Sequence, residues 1–229
     1  MEVVIACGGK GTRMKDILKD SPKILAPVPS GVFLHKVLDY WSSVNCERVH
    51  LLLGVGADQV WEAAMNWLHQ SNGNLKISAT IEPYPLGVIG ALKFAESCLP
   101  PQFIFTYGDV YPTVDLKKLL HAVKDEHLAC LSVCEKEIAK ENANIMLDSN
   151  GIKIYSKNDG AMTHVDVGMM VIDKQALAVL KNDPLEFLNE DDLFKPLAAL
   201  GKLGYYNHGK PSMHIGIPKA YSSFLNWSK

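Results

Sequence analysis

Short apolar runs alternate along this chain with stretches in which apolar residues recur every three or four positions. The runs Val3–Ala6, Arg48–Gly54, Leu75–Ile81, Phe103–Tyr107, Leu128–Cys134 and Val165–Ile172 read as strands. Phe33–Trp41, Asp58–His69, Gly90–Ser97 and Leu116–Asp125 have helical spacing, with Asp58 as the N-cap of its helix. Ile145–Ser156 reads as a hairpin turning at Asn150-Gly151. A short strand near Tyr205 and a closing helix from Lys219 complete the pattern. Strands alternating with helices predict an α/β fold with a mostly parallel sheet. No internal repeat or low-complexity linker divides the chain, so one domain over residues 1–229 is expected.

The most informative break in this pattern follows the first strand. Ala6-Cys7-Gly8-Gly9-Lys10-Gly11-Thr12-Arg13 places three glycines in a sharp turn, with Pro22-Lys23 after a spacer. Glycine lets the backbone take positive φ and press against a ligand. Successive main-chain N–H groups in such a turn make a concave anion site. Lys10, Arg13 and Lys23 add positive charge, Arg13 as a planar fork and Lys23 as a mobile point charge. These are the groups a triphosphate requires. The turn is neither a dinucleotide fingerprint, because Met14 stands where a further glycine is needed, nor a Walker loop, because Thr12-Arg13 follows the last glycine.

Gly8-Gly9-x-Gly11-Thr12-Arg13 followed by Pro22-Lys23 resembles the signature of the sugar-phosphate nucleotidyltransferases. Within that family, CGGKGTRMKDILKDSPKILAPV is most similar to guanylyltransferases acting on a heptose 1-phosphate. The resemblance implies a Rossmann-like (GT-A-like) three-layer αβα sandwich around a mixed, mostly parallel sheet. It implies that Arg13 and Lys23 are catalytic, and that Ala6, Cys7, Gly8, Gly9, Lys10, Gly11 and Thr12 bind nucleotide.

Further segments carry the resemblance. Glu82-Pro83-Tyr84-Pro85-Leu86-Gly87 is similar to the family's base-reading loop. A carboxylate at Glu82 can accept hydrogen bonds from N1–H and the N2 amino group of guanine, and Gly87 permits close approach. Val88 departs from the family's threonine. Gly108-Asp109 ends a central strand, where an open α/β sheet binds ligands. Gly108 is expected at the nucleotide and Asp109 at Mg²⁺, which prefers carboxylate and phosphate oxygens, with Mn²⁺ an alternative. Lys157, Asp166, Gly168 and Glu190 resemble sugar-phosphate contacts. Ser156 and Asn158 depart from the usual neighbours of that lysine, and Asp166 stands for the usual asparagine. His214, in Met213-His214-Ile215-Gly216, occupies the place of a second metal-binding aspartate. Two readings of it stand: a ligand that suits a softer ion better than Mg²⁺, or a hydrogen-bonding loop residue. Lys219-Ala220 also replaces an acidic pair.

Composition narrows the partners. A net charge of −2 argues against a nucleic-acid binder. No apolar run approaches the ~20 residues of a membrane span. Met1-Glu2-Val3 lacks the features of a signal peptide. Five cysteines without a C-x-x-C motif suit free thiols in a reducing cytoplasm. Cys130 and Cys134 share one face of a strand and read as core. Cys7 is open to thiol reagents in this reading, with nothing nearby to activate it. The expected partners are therefore a nucleoside triphosphate and a sugar 1-phosphate, bound by a monomer or homodimer. The same reaction with CTP or UTP and a non-sugar phosphate, or a weakened nucleotide-binding module, are the alternatives.

Overall fold

The computed structural model describes residues 1–9, 11–19, 21–71, 73–149, 151–156, 161–181 and 183–228. Its strands are β1 (Glu2–Ala6), β2 (Pro27–Val28), β3 (Gly31–Val32), β4 (Arg48–Leu53), β5 (Lys76–Ile81), β6 (Gln102–Tyr107), β7 (Val110–Tyr111), β8 (Ala129–Glu135), β9 (Ile145–Leu147), β10 (Ile152–Tyr155), β11 (His164–Asp173), β12 (Leu203–Asn207) and β13 (Met213–His214). Its α-helices are α1 (Lys15–Leu18), α2 (Phe33–Ser43), α3 (Ala57–Gln70), α4 (Gly87–Phe94), α5 (Leu116–His121), α6 (Lys136–Ala139), α7 (Glu190–Ala199) and α8 (Pro218–Trp227).

The main sheet runs β12-β8-β11-β6-β1-β4-β5, with the hairpin β9-β10 attached beside the start of β11. Strands β6, β1, β4 and β5 are mutually parallel, as are β8 and β12. Strand β11 runs against its neighbours β6 and β8, and the β9-β10 hairpin also pairs antiparallel. The sheet is therefore mixed and mostly parallel, with helices on both faces.

Side-chain alternation builds the two cores. Val3 and Ile5 of β1 point to the face covered by α2, α3, α5 and α8, while Val4 joins the face covered by α4 and α7. In β6, Ile104 joins the first face and Phe103 and Phe105 the second. Strands buried on both faces read as continuous apolar runs, which is why β1, β6 and β11 were visible from sequence. Cys130 and Cys134 lie in the first core, as their shared strand face predicts.

Boundaries moved where local geometry overrode pattern. Gly56, at φ 72°, caps α3, so Asp58 lies inside the first turn rather than at the N-cap. Helix α4 starts at Gly87, one turn before the expected Gly90, and Glu96–Cys98 follows as a 3₁₀ turn. Helix α5 stops at His121. The pairs β2-β3 and β7-β13 are two residues long on each side, too short to give a pattern. Asn150 lies outside the described residues, but β9 and β10 pair antiparallel as expected.

Helix α8 ties the end of the chain to its front. Phe224 packs edge-on to Phe33 with ring centroids 5.1 Å apart, and Trp227 lies 5.2 Å from Tyr111. The Tyr221 hydroxyl donates to the carbonyl of Pro27, just after the Pro22-Lys23 segment.

Candidate active site

Four parallel strands deliver their carboxyl ends to one edge of the sheet. Ala6 and Tyr107 are in register, so Cys7-Gly8-Gly9 and Gly108-Asp109 emerge side by side. Gly108 N–H donates to Ala6 O at 2.8 Å, and Cys7 N–H donates to Leu52 O at 2.8 Å. Gly54 follows β4, and Glu82 follows β5 with its N–H on Leu53 O at 2.9 Å. This is the edge at which open α/β sheets bind ligands.

A cavity of about 560 Å³ opens there. It is lined by Ala6, Cys7, Gly8, Gly9, Arg13, Lys23, Glu82, Gly87, Gly108, Asp109 and Glu190, all singled out by the sequence. Gly11, at φ +60°, turns the chain so that Met14 plugs the core and Lys23 packs against the turn. A Cβ on Gly11 would lie 3.6 Å from that of Lys23. Thr12 opens a 3₁₀ turn in the same loop. Lys10 and Lys157 lie outside the described residues.

Lys23 and Asp109 meet inside the cavity, Nζ to Oδ2 at 2.7 Å. The Cys7 thiol is buried beside them. Burial, with Asp109 adding to it, pushes its ionisation far up, so the thiol is buried rather than open to thiol reagents as the sequence suggests.

Glu82 is wedged between two glycines. A Cβ on Gly8 would lie 2.8 Å from Glu82 Oε1, and one on Gly54 only 2.2 Å from it. Its other oxygen accepts the Leu86 N–H at 2.9 Å. Burial raises the Glu82 carboxyl above its ordinary value, against the lowering pull of that bond. The carboxylate is thus anchored by one oxygen and presents the other to the cavity wall.

Asp166 and Gly168 are not among the cavity-lining residues but sit immediately behind them. Asp166 Oδ1 accepts the Gly168 N–H at 2.7 Å, and Asp166 N–H donates to Asn144 at 3.0 Å. Gly168, at φ +85°, faces Val110 and Tyr107, which a Cβ would meet at 2.9 and 3.0 Å. Tyr107 lines the cavity and its hydroxyl is held well above its usual range by burial, then by Asp166, Tyr155, Glu190 and Asp109.

His214 pairs with Val110 across β7-β13, and Ile215 N–H donates to Asp109 O at 2.8 Å. The imidazole is close to Asp109: Asp109 Oδ2 and His214 Nδ1 lie 2.9 and 3.1 Å from where a Cβ of Gly216 would stand. Yet Nδ1 accepts the Gly216 N–H at 3.0 Å, and Nε2 faces Glu141 at 3.6 Å. A nitrogen whose lone pair already receives a backbone N–H is a poor metal ligand. Among the described residues no group of three or more His, Cys, Asp or Glu side chains is placed to hold an ion. One carboxylate, Asp109, lines the cavity, and Mg²⁺ is commonly held by one or two carboxylates plus substrate phosphates and water.

Sequence reasoning missed Phe187, which lines the cavity with Pro85, Val88 and Ala91. Its only signal was a lone aromatic in the polar, turn-rich stretch from residue 182 to 189.

These features define an open, mostly parallel α/β protein with a glycine-lined, cation-bearing cavity at the carboxyl edge of its sheet. The chain is similar over its whole length to sugar-phosphate nucleotidyltransferases. Among these relatives, D-glycero-alpha-D-manno-heptose 1-phosphate guanylyltransferase of Aneurinibacillus thermoaerophilus is 25% identical over 96% of this chain and 95% of its own. Its namesake from Campylobacter jejuni is 32% identical over 119 residues, 52% of each chain. The matched region therefore spans about half the length of that relative. A probable glucose-1-phosphate cytidylyltransferase of Bacillus subtilis is 25% identical over 91% of this chain and 88% of its own. The solved structure of HddC from Yersinia pseudotuberculosis superposes with a TM-score of 0.81 at 25% identity, covering 100% of this chain and 99% of that one. A second structure of HddC is a complex with GMP-PN. No protein-family model matches the chain. Among the described residues, no helix is long and apolar enough to cross a membrane.

Proposed function

We propose that this chain transfers a nucleoside monophosphate from a nucleoside triphosphate, with GTP favoured, to a sugar 1-phosphate such as a heptose or hexose, releasing pyrophosphate. The observation that carries this reading is the convergence of the glycine turn, Arg13, Lys23, Asp109 and Glu82 on one cavity. A sugar phosphate oxygen attacks the α-phosphorus in line, and no covalent intermediate is required. The protein aligns two anions and neutralises charge that moves onto the leaving group.

In this reading the turn amides, Arg13 and Lys10 grip the β- and γ-phosphates, and Gly108 lies against the nucleotide. Lys23 bridges the α-phosphate and the attacker. Glu82 accepts from the base, with Gly87 alongside. Lys157, Asp166, Gly168 and Glu190 shape the acceptor side. Asp109 is the residue that would hold Mg²⁺ or Mn²⁺, whose charge would offset that of the phosphates. His214 is assigned to the loop, where it fixes Gly216 beside Asp109.

The experiment is pyrophosphate release from GTP, CTP, UTP, ATP and dTTP with a panel of sugar 1-phosphates and non-sugar phosphates, in Mg²⁺ and in Mn²⁺. Turnover with GTP and a heptose or hexose 1-phosphate is expected. Preference for CTP, as the name of the Bacillus relative would suggest, would reassign the base. No release with any pair would reduce the chain to a nucleotide-binding module.

A further inference from the structure

Residues 183–189 form an arch over the start of α4, and its backbone is pinned along its length. Asp183 Oδ1 accepts the Leu185 N–H at 2.9 Å, and the Tyr84 hydroxyl donates to Leu185 O at 3.1 Å. Leu188 N–H donates to Leu86 O at 2.8 Å, and Leu188 O accepts from both Ile89 and Gly90 N–H at 3.2 Å. Asn189 then closes a capping box on α7. Two glycines make room for this seat. A Cβ on Gly87 would meet Leu188 O at 2.3 Å, and one on Gly90 would meet Glu186 O at 2.7 Å.

The arch buries Leu188 but leaves Phe187 64% exposed. Single exposed apolar residues are ordinary. This one differs in being a ring fixed at a cavity wall, with Cε2 3.3 Å from the Cβ position of Gly87, on a backbone bonded at either side. Burying a phenylalanine is favourable, a gain the free protein largely leaves unrealised. A ligand that covers the ring collects it. Three residues further on, Glu190 lines the same cavity with an acceptor-rich carboxylate. A flat apolar face beside a carboxylate matches a pyranose-like ring, which has a C–H face and a hydroxyl edge. The base already has its polar reader in Glu82.

We propose that Phe187 is the platform on which the sugar of the acceptor phosphate lies, its C–H face on the benzene ring and its hydroxyl edge toward Glu190. This rests on the transfer reaction proposed above. The test is steady-state kinetics of Phe187→Ala and Phe187→Trp with GTP and a sugar 1-phosphate that the wild type turns over. Phe187→Ala should raise the acceptor KM roughly five- to tenfold, in keeping with the worth of one aromatic contact. It should leave the GTP KM within about twofold, and Phe187→Trp should restore the acceptor KM. A rise confined to the GTP KM would make the ring a base platform and overturn the proposal, as would no change in either constant. A second measurement needs no turnover. The emission of Phe187→Trp, compared with wild type, should change on titration with sugar 1-phosphates, and silence would overturn the proposal. Absence of wild-type pyrophosphate release would sink the reaction while leaving that titration to decide whether a sugar phosphate meets the ring.

Discussion

Lys23 Nζ and Asp109 Oδ2, 2.7 Å apart, hold opposite charges together at the floor of the cavity. On the proposed reading, removing the lysine would do two things at once: delete a cation from the phosphate path and leave Asp109 to repel the substrate. Lys23→Ala should therefore cost more than Arg13→Ala, whose side chain sits at the wall without that partner role. The expected losses in kcat/KM are roughly 10²–10³-fold or more for Lys23 and somewhat less for Arg13, measured by pyrophosphate release. Near-normal rates would remove either from the mechanism. Glu82 makes a second residue-scale prediction. Glu82→Gln removes the charged acceptor, so preference for GTP over UTP should fall by roughly tenfold to a hundredfold, the worth of a hydrogen bond to a charged group. Because burial raises the Glu82 pKa, GTP recognition that depends on the carboxylate should weaken on acidification sooner than an ordinary value of 4.5 would give. The pH profile of the GTP KM in wild type and Glu82→Gln checks this.

At the scale of elements, what was legible and what was not divide along a physical line. Strands β1, β4, β6 and β11 announce themselves because burial on both faces demands unbroken apolar runs. The glycine turn was legible because only glycine suits a backbone that must lie against Glu82 or turn at positive φ. The arch of residues 183–189 was not, because its order comes from hydrogen bonds to Leu86, Ile89 and Gly90, contacts distant in sequence that leave no periodic trace. The start of α4 escapes the pattern for the same reason: the spacing points to Gly90, whereas Gly87 opens the helix. His214 shows a further limit, since its identity gives chemistry but not which nitrogen is already occupied. Gly87 supports a direct prediction. Gly87→Ala puts a Cβ 2.3 Å from Leu188 O at φ +76°, so it should destabilise the protein by about 1–3 kcal/mol. It should also displace the arch, and the denaturant midpoint reads the loss.

For the whole molecule, a titratable side chain buried within the sheet is His50 of β4. It is 2% exposed, with Nδ1 2.9 Å from Ser78 Oγ and Nε2 2.9 Å from Thr80 Oγ1 on β5. Burial, helped by Arg48 and opposed by Glu2, lowers its pKa from 6.5 to about 4. A histidine held neutral in the fold binds its proton more readily when unfolded. Its contribution is therefore complete above pH 6.5 and is lost progressively as pH falls toward 4. Thermal unfolding between those values should show a steeper decline for wild type than for His50→Asn, which should be less stable at pH 7 but flatter. Equal slopes would assign the acid sensitivity elsewhere.

The stack of Tyr111, Phe224 and Trp227 begins two residues after Asp109 and ends in an indole that is 52% exposed. On the proposed reading, the protein carries an optical gauge beside the floor of its cavity. If Asp109 takes up a ligand as proposed, a shift passed along β7 should alter the coupling between those rings. Near-ultraviolet circular dichroism should then change on titration with nucleotide, without a dye, a tag or a substituted residue, and an unchanged spectrum would leave the stack uncoupled from the cavity.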